Sequence, residues 1–453
     1  MKSMKTIANA SRPLVPNPPA VDASLQALAD ARVVIEAVSP EIDAGRFPAK
    51  AAVNDCFEVE ADIYADGHEK IAAALLIRRA DESEWTEASM AFFDNDRWRG
   101  FSRVTDNARY VYTVIAWRDV FATWRDEVSK KHAAGVPIGL ELTEGVALVE
   151  AAIRGDRATA GDKAALKSLL ARLDPTDEAS RLAELLHRDA SDRMHRAAPR
   201  INLSRYDKEL ELVVDRRAAV FSAWYEIFPR SASGDPARHG TFEDVVARLP
   251  YVRDLGFDVL YFPPIHPIGR KNRKGRNNTL TPAPDDPGSP YAIGSEEGGH
   301  DAIHPELGTF EDFAKLIAAA RAEGLEIALD FAIQCSPDHP WIKQHPEWFD
   351  WRPDGSIKFA ENPPKKYEDI VNVHFYRDAF PSLWYALRDI VLFWAEKEVR
   401  IFRVDNPHTK PVPFWEWLIR EVQTRYPDVI FLAEAFTKPK MMQRLAKVGF
   451  TQS

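Results

Sequence analysis

Two carboxylates stand at matched places in the chain. Asp405 closes the apolar run of "IFRVDNPHTK" (401–410), and Glu434 closes that of "DVIFLAEAF" (428–436). Residues i and i+2 of a strand point the same way, so Arg403 shares a face with Asp405. Either acid alone reads best as half of a structural ion pair. Together, on strand ends joined by one crossover helix "PFWEWLIREVQTRY" and with Asp330 on a third run, they suit catalysis. Carboxyls roughly 5–5.5 Å apart serve a retaining glycosidic mechanism, in which one attacks the anomeric carbon and the other moves protons. Arg403 favours ionised Asp405, the nucleophile. Glu434, flanked by Ala433, Ala435 and Phe436, is expected to be desolvated and protonated, the acid/base.

Parallel strands must position these groups. "GTFED" occurs at 240–244 and 308–312, each time with a Thr (Thr241, Thr309) and an acid in capping-box spacing. A glycine (Gly256, Gly324) follows where the helix should end, and a strand comes next. Repeated βα units follow, with five strands expected near 220–228, 259–262, 327–331, 399–405 and 429–434. The irregular gaps at 263–307 and 333–377 then lie on the rim that carries the strand ends.

Upstream, residues 31–120 alternate in period two, as in "CFEVEADIYAD", and predict a β-sandwich. It reads as a packing or dimerisation module, although Trp98 and Trp117 leave sugar stacking open. Residues 121–199 switch to helical spacing, predicting two to four helices as a bundle insertion. Residues 200–217 return to strand, and 218–453 form the catalytic part. Residues 1–30 read as a disordered Pro-rich leader.

Composition narrows the classes. The 453 residues are 45% apolar and 28% charged with a net charge of −10, an ordinary globular balance with nothing to attract nucleic acid. Two distant cysteines, Cys56 and Cys335, make neither a disulfide framework nor a zinc set. No run is apolar enough to span a membrane, and the cytoplasm is the expected home.

The motifs carry a more specific signal. "FRVDNPHTK", "FLAEAF", "ALDFAIQCSPDHPW" and "GFDVLYFPPIHPIG" resemble the strand motifs of the α-amylase superfamily of (β/α)8 barrels. Gln334 and Cys335 stand where that superfamily usually has Asn-His. With "GRKNRKGRNNTL" and "FAENPPKKYEDI", the chain resembles the α-1,4-glucan:maltose-1-phosphate maltosyltransferase family from about residue 31 onward. The resemblance implies transfer of maltosyl units from α-maltose 1-phosphate to the non-reducing end of an α-1,4-glucan or maltooligosaccharide, with phosphate released and no cofactor or metal. It also implies a homodimer. By resemblance Lys274, Asn362, Lys365 and Tyr367 hold the phosphate, while Gln334, Asp369 and Asn406 contact sugar or orient the site. Trp341, Trp348, Phe349 and Trp351 are equally weighted as sugar platforms or core.

A glucan hydrolase or debranching enzyme, or a non-catalytic glucan-binding module, remains as an alternative. The fold expected is the first five βα units of a (β/α)8 barrel behind the sandwich. On that expectation the chain is a fragment lacking the superfamily's third acid, inactive by itself, and left with an unpaired sheet edge.

Overall fold

The structure, a computed structural model, describes residues 23–453. The leader expected over 1–30 lies outside the described residues as far as position 22. Its last part corrects the expectation, because Ala23–Asp30 is a helix. That stretch has no Pro or Gly and is rich in Ala and Leu, and Gln26 hydrogen-bonds Asp30 one turn on.

The sandwich is instead a single nine-stranded sheet curled on itself. Strand Thr86–Asp94 makes the bend. Its first half pairs with Ile71–Arg79, and from Ala91 it pairs with Arg97–Arg103. The concave face closes on Val59, Ile63, Leu75, Tyr112, Val114 and Leu212. Trp117 is buried beneath the Arg200 guanidinium, so it presents no open ring to a sugar.

Five helices, one more than the expected maximum, follow the strand Arg109–Arg118: Val120–Ala133, Gly139–Arg154, Ala160–Arg172, Glu178–Leu186 and Arg188–Ala197. The last two read as one pattern in sequence. His187 divides them with an extended backbone, and its Nδ1 accepts the Asp189 N–H to start the second. Strands Ile201–Arg205 and Leu210–Asp215 then return to the curled sheet beside Arg109–Arg118.

Beyond it lie five parallel strands, adjacent in space in chain order: Trp224–Glu226, Val259–Phe262, Glu326–Phe331, Ile401–Val404 and Ile430–Ala433. Both "GTFED" copies open helices, Phe242–Asp254 and Phe310–Ala322, through complete capping boxes. Gly256 and Gly324 leave those helices with φ of 83° and 76°, a conformation that costs glycine little.

Each strand has an outer and an inner face. Leu260, Phe262, Leu329, Phe331, Phe402, Val404 and Phe431 face outward onto the helices. Val259, Tyr261, Ala328, Ile401 and Ile430 pack together on the inner face. Period two then fixes what comes next on that face: Asp330 after Ala328, Arg403 and Asp405 after Ile401, Glu434 after Ile430. The inner face is therefore apolar at the start of the strands and charged at their ends. Thr451 and Gln452 run beside the fifth strand, with Gln452 bridging Leu432 in parallel, so that strand is not the bare edge expected.

Candidate active site

One guanidinium gathers three acids from three neighbouring strands. Arg403 Nη1 donates to Asp330 Oδ2 at 2.8 Å and to Asp405 Oδ1 at 2.9 Å, while Nη2 lies 2.9 Å from Glu434 Oε1. The ladder sets this up. Arg403 pairs with Asp330 in register, and the N–H groups of Asp405 and Glu434 donate to the carbonyls of Phe331 and Val404. Because Asp405 and Glu434 hang on one planar group, their bound oxygens lie within about 8 Å of each other. Asp405 Oδ1 also accepts from Asn406 Nδ2 at 3.3 Å, whereas Oδ2 has no hydrogen-bond partner among the described residues. That oxygen is left unengaged.

Asp330 is almost wholly buried, and Tyr261 and Tyr291 both donate to its Oδ2, at 2.6 and 2.9 Å. Burial pushes its carboxyl up to about 7, against the pull of Arg403 and the Tyr261 hydroxyl. Neither tyrosine was marked by local sequence. Tyr261 lies on the inner face two residues after Val259, but Tyr291 arrives from the 263–307 loop and only the fold brings it here.

The Asn-Pro that ends the fourth strand now has a reason. Asn406 adopts the left-handed conformation (φ 44°, ψ 53°), which asparagine tolerates better than most residues. Pro407 has no N–H to offer the ladder. Lys410 locks the turn, its ammonium donating to the carbonyls of Asp405 and Asn406 at 3.1 and 3.2 Å. The turn directs the Asn406 N–H to Glu434 Oε2 at 3.2 Å.

Glu434 therefore departs from the expected environment. Ala433 points to the outer core, Phe436 is 80% exposed, and the carboxyl lies against a guanidinium and an amide rather than in an apolar pocket. Both neighbours are hydrogen-bond donors, and each engages one of the two Glu434 oxygens.

The other expected residues divide. Asn362, Lys365 and Tyr367 lie exposed on the hairpin Phe359–Asn362/Lys365–Asn372. Gln334 pairs with Asn372 at the root of that hairpin. Asp369 is buried, and desolvation raises its carboxyl. Lys274 is buried, not an open cation, and its Nζ lies 2.8 Å from Glu368 Oε2. The remaining basic run mostly folds its own loop: Arg270 pairs with Glu297, Arg276 with Asp286, and Arg273 donates to the carbonyls of Ile268, Gly269 and Asp286. Of the four aromatics, Trp348 and Phe349 are core, Trp341 stacks on His300, and Trp351 is exposed.

A buried imidazole chain joins the two rim insertions. The Trp341 N–H donates to His339 Nδ1, so His339 carries its proton on Nε2 and donates to His300 Nδ1 at 3.2 Å. His300 Nε2–H then donates to the Ala332 carbonyl at 3.0 Å. Cys335 Sγ lies within 4.8 Å of both rings, but a metal there would have to break the His339–His300 bond. Gly294 and Gly299 make room for the His339 ring, which a Cβ at either would meet at 2.2 and 2.5 Å.

Burial lowers His300 well below the ordinary histidine value, holds His339 at about 3 and holds nearby His266 at about 4. Depressed values mean stability that is fully present above the unfolded value of about 6.5 and is lost as pH falls through the folded values. Between pH 6.5 and 5 His266 and His339 should each give up roughly 2 kcal/mol. The urea midpoint is therefore expected to fall more steeply from pH 7 to 5 in the native chain than in His266→Asn; parallel slopes would remove His266 from this account.

With that geometry established, comparison with known proteins places the chain. Residues 31–216 match the model of the alpha-1,4-glucan:maltose-1-phosphate maltosyltransferase domain N/S, and residues 226–445 match that of the alpha amylase catalytic domain. The alpha-1,4-glucan:maltose-1-phosphate maltosyltransferase of Cereibacter sphaeroides is 65% identical over 427 residues, covering 94% of this chain and 71% of that protein. Its namesake from Pseudomonas aeruginosa is 54% identical, covering 94% of this chain and 64% of the relative. That of Burkholderia pseudomallei is 55% identical, covering 96% of this chain and 39% of the relative. The chain thus spans only part of the length of these relatives. Among solved structures, an alpha-amylase from Lactobacillus plantarum is 32% identical over 51% of this chain and 48% of its own, with a TM-score of 0.40. Identity of this extent, running through both the curled sheet and the parallel one, shows that the chain belongs to the α-1,4-glucan:maltose-1-phosphate maltosyltransferase family.

Proposed function

We propose that this site transfers maltosyl units, with retention, from α-maltose 1-phosphate to the non-reducing end of α-1,4-glucans or maltooligosaccharides. On this reading the five parallel strands begin a (β/α)8 barrel, and the protein works as a cytoplasmic homodimer. The observation that carries it is the Arg403 guanidinium holding Asp405 and Glu434 at neighbouring strand ends.

In the first step Asp405 Oδ2 attacks the anomeric carbon, and the bond to phosphate breaks with its electron pair on the departing phosphate oxygen. Arg403, bound to Oδ1, keeps the nucleophile aimed. Phosphate forms a stable anion and needs little protonation to leave. In the second step Glu434 takes the proton of the glucan 4-OH, whose oxygen displaces Asp405 from the same carbon. Two inversions give net retention. Lys274, Lys365, Tyr367 and Asn362 hold the phosphate, a role suited to charge-assisted hydrogen bonds. Gln334, Asp369 and Asn406 orient the sugar.

Lys274→Ala and Tyr367→Phe test the substrate side. Each is expected to raise the KM for maltose 1-phosphate by about tenfold or more, with little change in the apparent KM for a maltooligosaccharide acceptor. An effect confined to the acceptor would disprove the phosphate assignment. Release of reducing sugar without any dependence on phosphate would favour a hydrolase.

A further inference from the structure

The lysine assigned to the phosphate already holds an anion. Lys274 Nζ is 2.8 Å from Glu368 Oε2, and its side chain is only 8% exposed. A phosphate reaching this ammonium would compete with the carboxylate already paired to it. Glu368 sits at an irregularity of the hairpin. The hairpin register slips at this point: Tyr367 pairs with Ala360, yet Val371 pairs with Phe359, so residues 368–370 bulge out of the ladder. A side chain on a bulge can swing without breaking strand pairing. Its backbone stays tethered, because Asn272 Nδ2 donates to the Glu368 carbonyl at 2.9 Å. A second cation is at hand in Lys366, which is exposed, has no ion-pair partner among the described residues, and acts on the charge of Glu368.

We propose that Glu368 is a tethered stand-in for phosphate: it occupies Lys274 in the empty site, yields to the phosphate group of the donor, and returns as inorganic phosphate departs. The inference rests on the reading of Lys274 as a phosphate ligand. Glu368 then sets affinity by competition. It weakens donor and product phosphate alike, and so keeps the released phosphate from lingering in the site. It also prevents a buried ammonium from standing uncompensated between turnovers.

The test is calorimetric titration of inorganic phosphate into the native protein, Glu368→Gln, Lys274→Ala and the double variant. Gln keeps the size of the side chain and removes its charge. Phosphate is expected to bind Glu368→Gln about tenfold more tightly than the native protein, and the gain should vanish in the double variant. Unchanged or weaker binding by Glu368→Gln, with Lys274→Ala clearly weakened, would overturn the stand-in role and leave the lysine assignment intact. If Lys274→Ala binds phosphate as the native protein does, the lysine reading fails and this inference falls with it. Circular dichroism of each variant separates these outcomes from misfolding, and Glu368→Ala provides a second, independent removal of the charge.

Discussion

Asp405→Ala is expected to lower maltosyl transfer by a factor on the order of 10⁵ and to leave no covalent sugar on the protein. The reason lies in how its two oxygens are used. Oδ1 is committed to Arg403 and Asn406, which fix the plane of the carboxylate. Oδ2 is unengaged and points from the end of the fourth strand, where the inner face becomes polar. Of the three acids on Arg403, Asp330 also has one oxygen without a partner, Oδ1, but it is buried. Asp330 lies deeper with Oδ2 taken by Arg403 and two tyrosines, and Glu434 has both oxygens engaged. The same substitution should cost little stability, since Arg403 keeps two carboxylates when the third is removed. Activity and folding are therefore predicted to separate. A variant retaining transfer within tenfold of the native rate would show that another group is the nucleophile.

Arg403→Ala should do the opposite and damage both together. Its guanidinium is the one cation paired with the carboxylates of Asp330, Asp405 and Glu434 among the described residues, and Asp330 is fully enclosed. Removing one partner of a buried ion pair strands the other and typically costs about 3–5 kcal/mol. Here the cost falls on acids that also repel one another. Transfer is expected to fall by about 10³-fold or more as the nucleophile loses its aim. Arg403→Lys separates charge from shape. An ammonium restores one contact but cannot bridge three acids, so it should recover part of the stability and little of the rate. Urea denaturation and a phosphate-release assay on the two variants check this. Equal rescue of both by lysine would mean that the guanidinium matters only as a charge.

The site was legible in sequence where a short-range rule governs it. Strand alternation put Arg403 and Asp405 on one face, and the repeated "GTFED" marked the helices that alternate with the strands. What escaped was set by distance. Tyr291 and Glu368 lie in rim insertions whose path no local pattern encodes, yet one donates to Asp330 and the other covers Lys274. Lys410 carries no signal of its own in the sequence, although it holds the turn after Asp405. Flanking residues misled in the case of Glu434: Ala433 and Ala435 predicted an apolar pocket, but alternation turns neighbours away from the side chain between them. The aromatic cluster left two readings open, sugar platform or core. Trp348 and Phe349 have a composition suited to sugar stacking, and only burial shows that they hold the insertion to the core.

The most direct measurement uses an α-maltosyl fluoride bearing a second fluorine at C2: that fluorine slows both oxocarbenium-like steps, while the anomeric fluoride, a good leaving group, speeds only the first. Intact-mass analysis should show one fluoromaltosyl group per chain, peptide mapping should place it on Asp405, and Asp405→Ala should show none. A label on a different carboxylate, or turnover to products of inverted configuration without any label, would contradict the nucleophile and the retaining mechanism together.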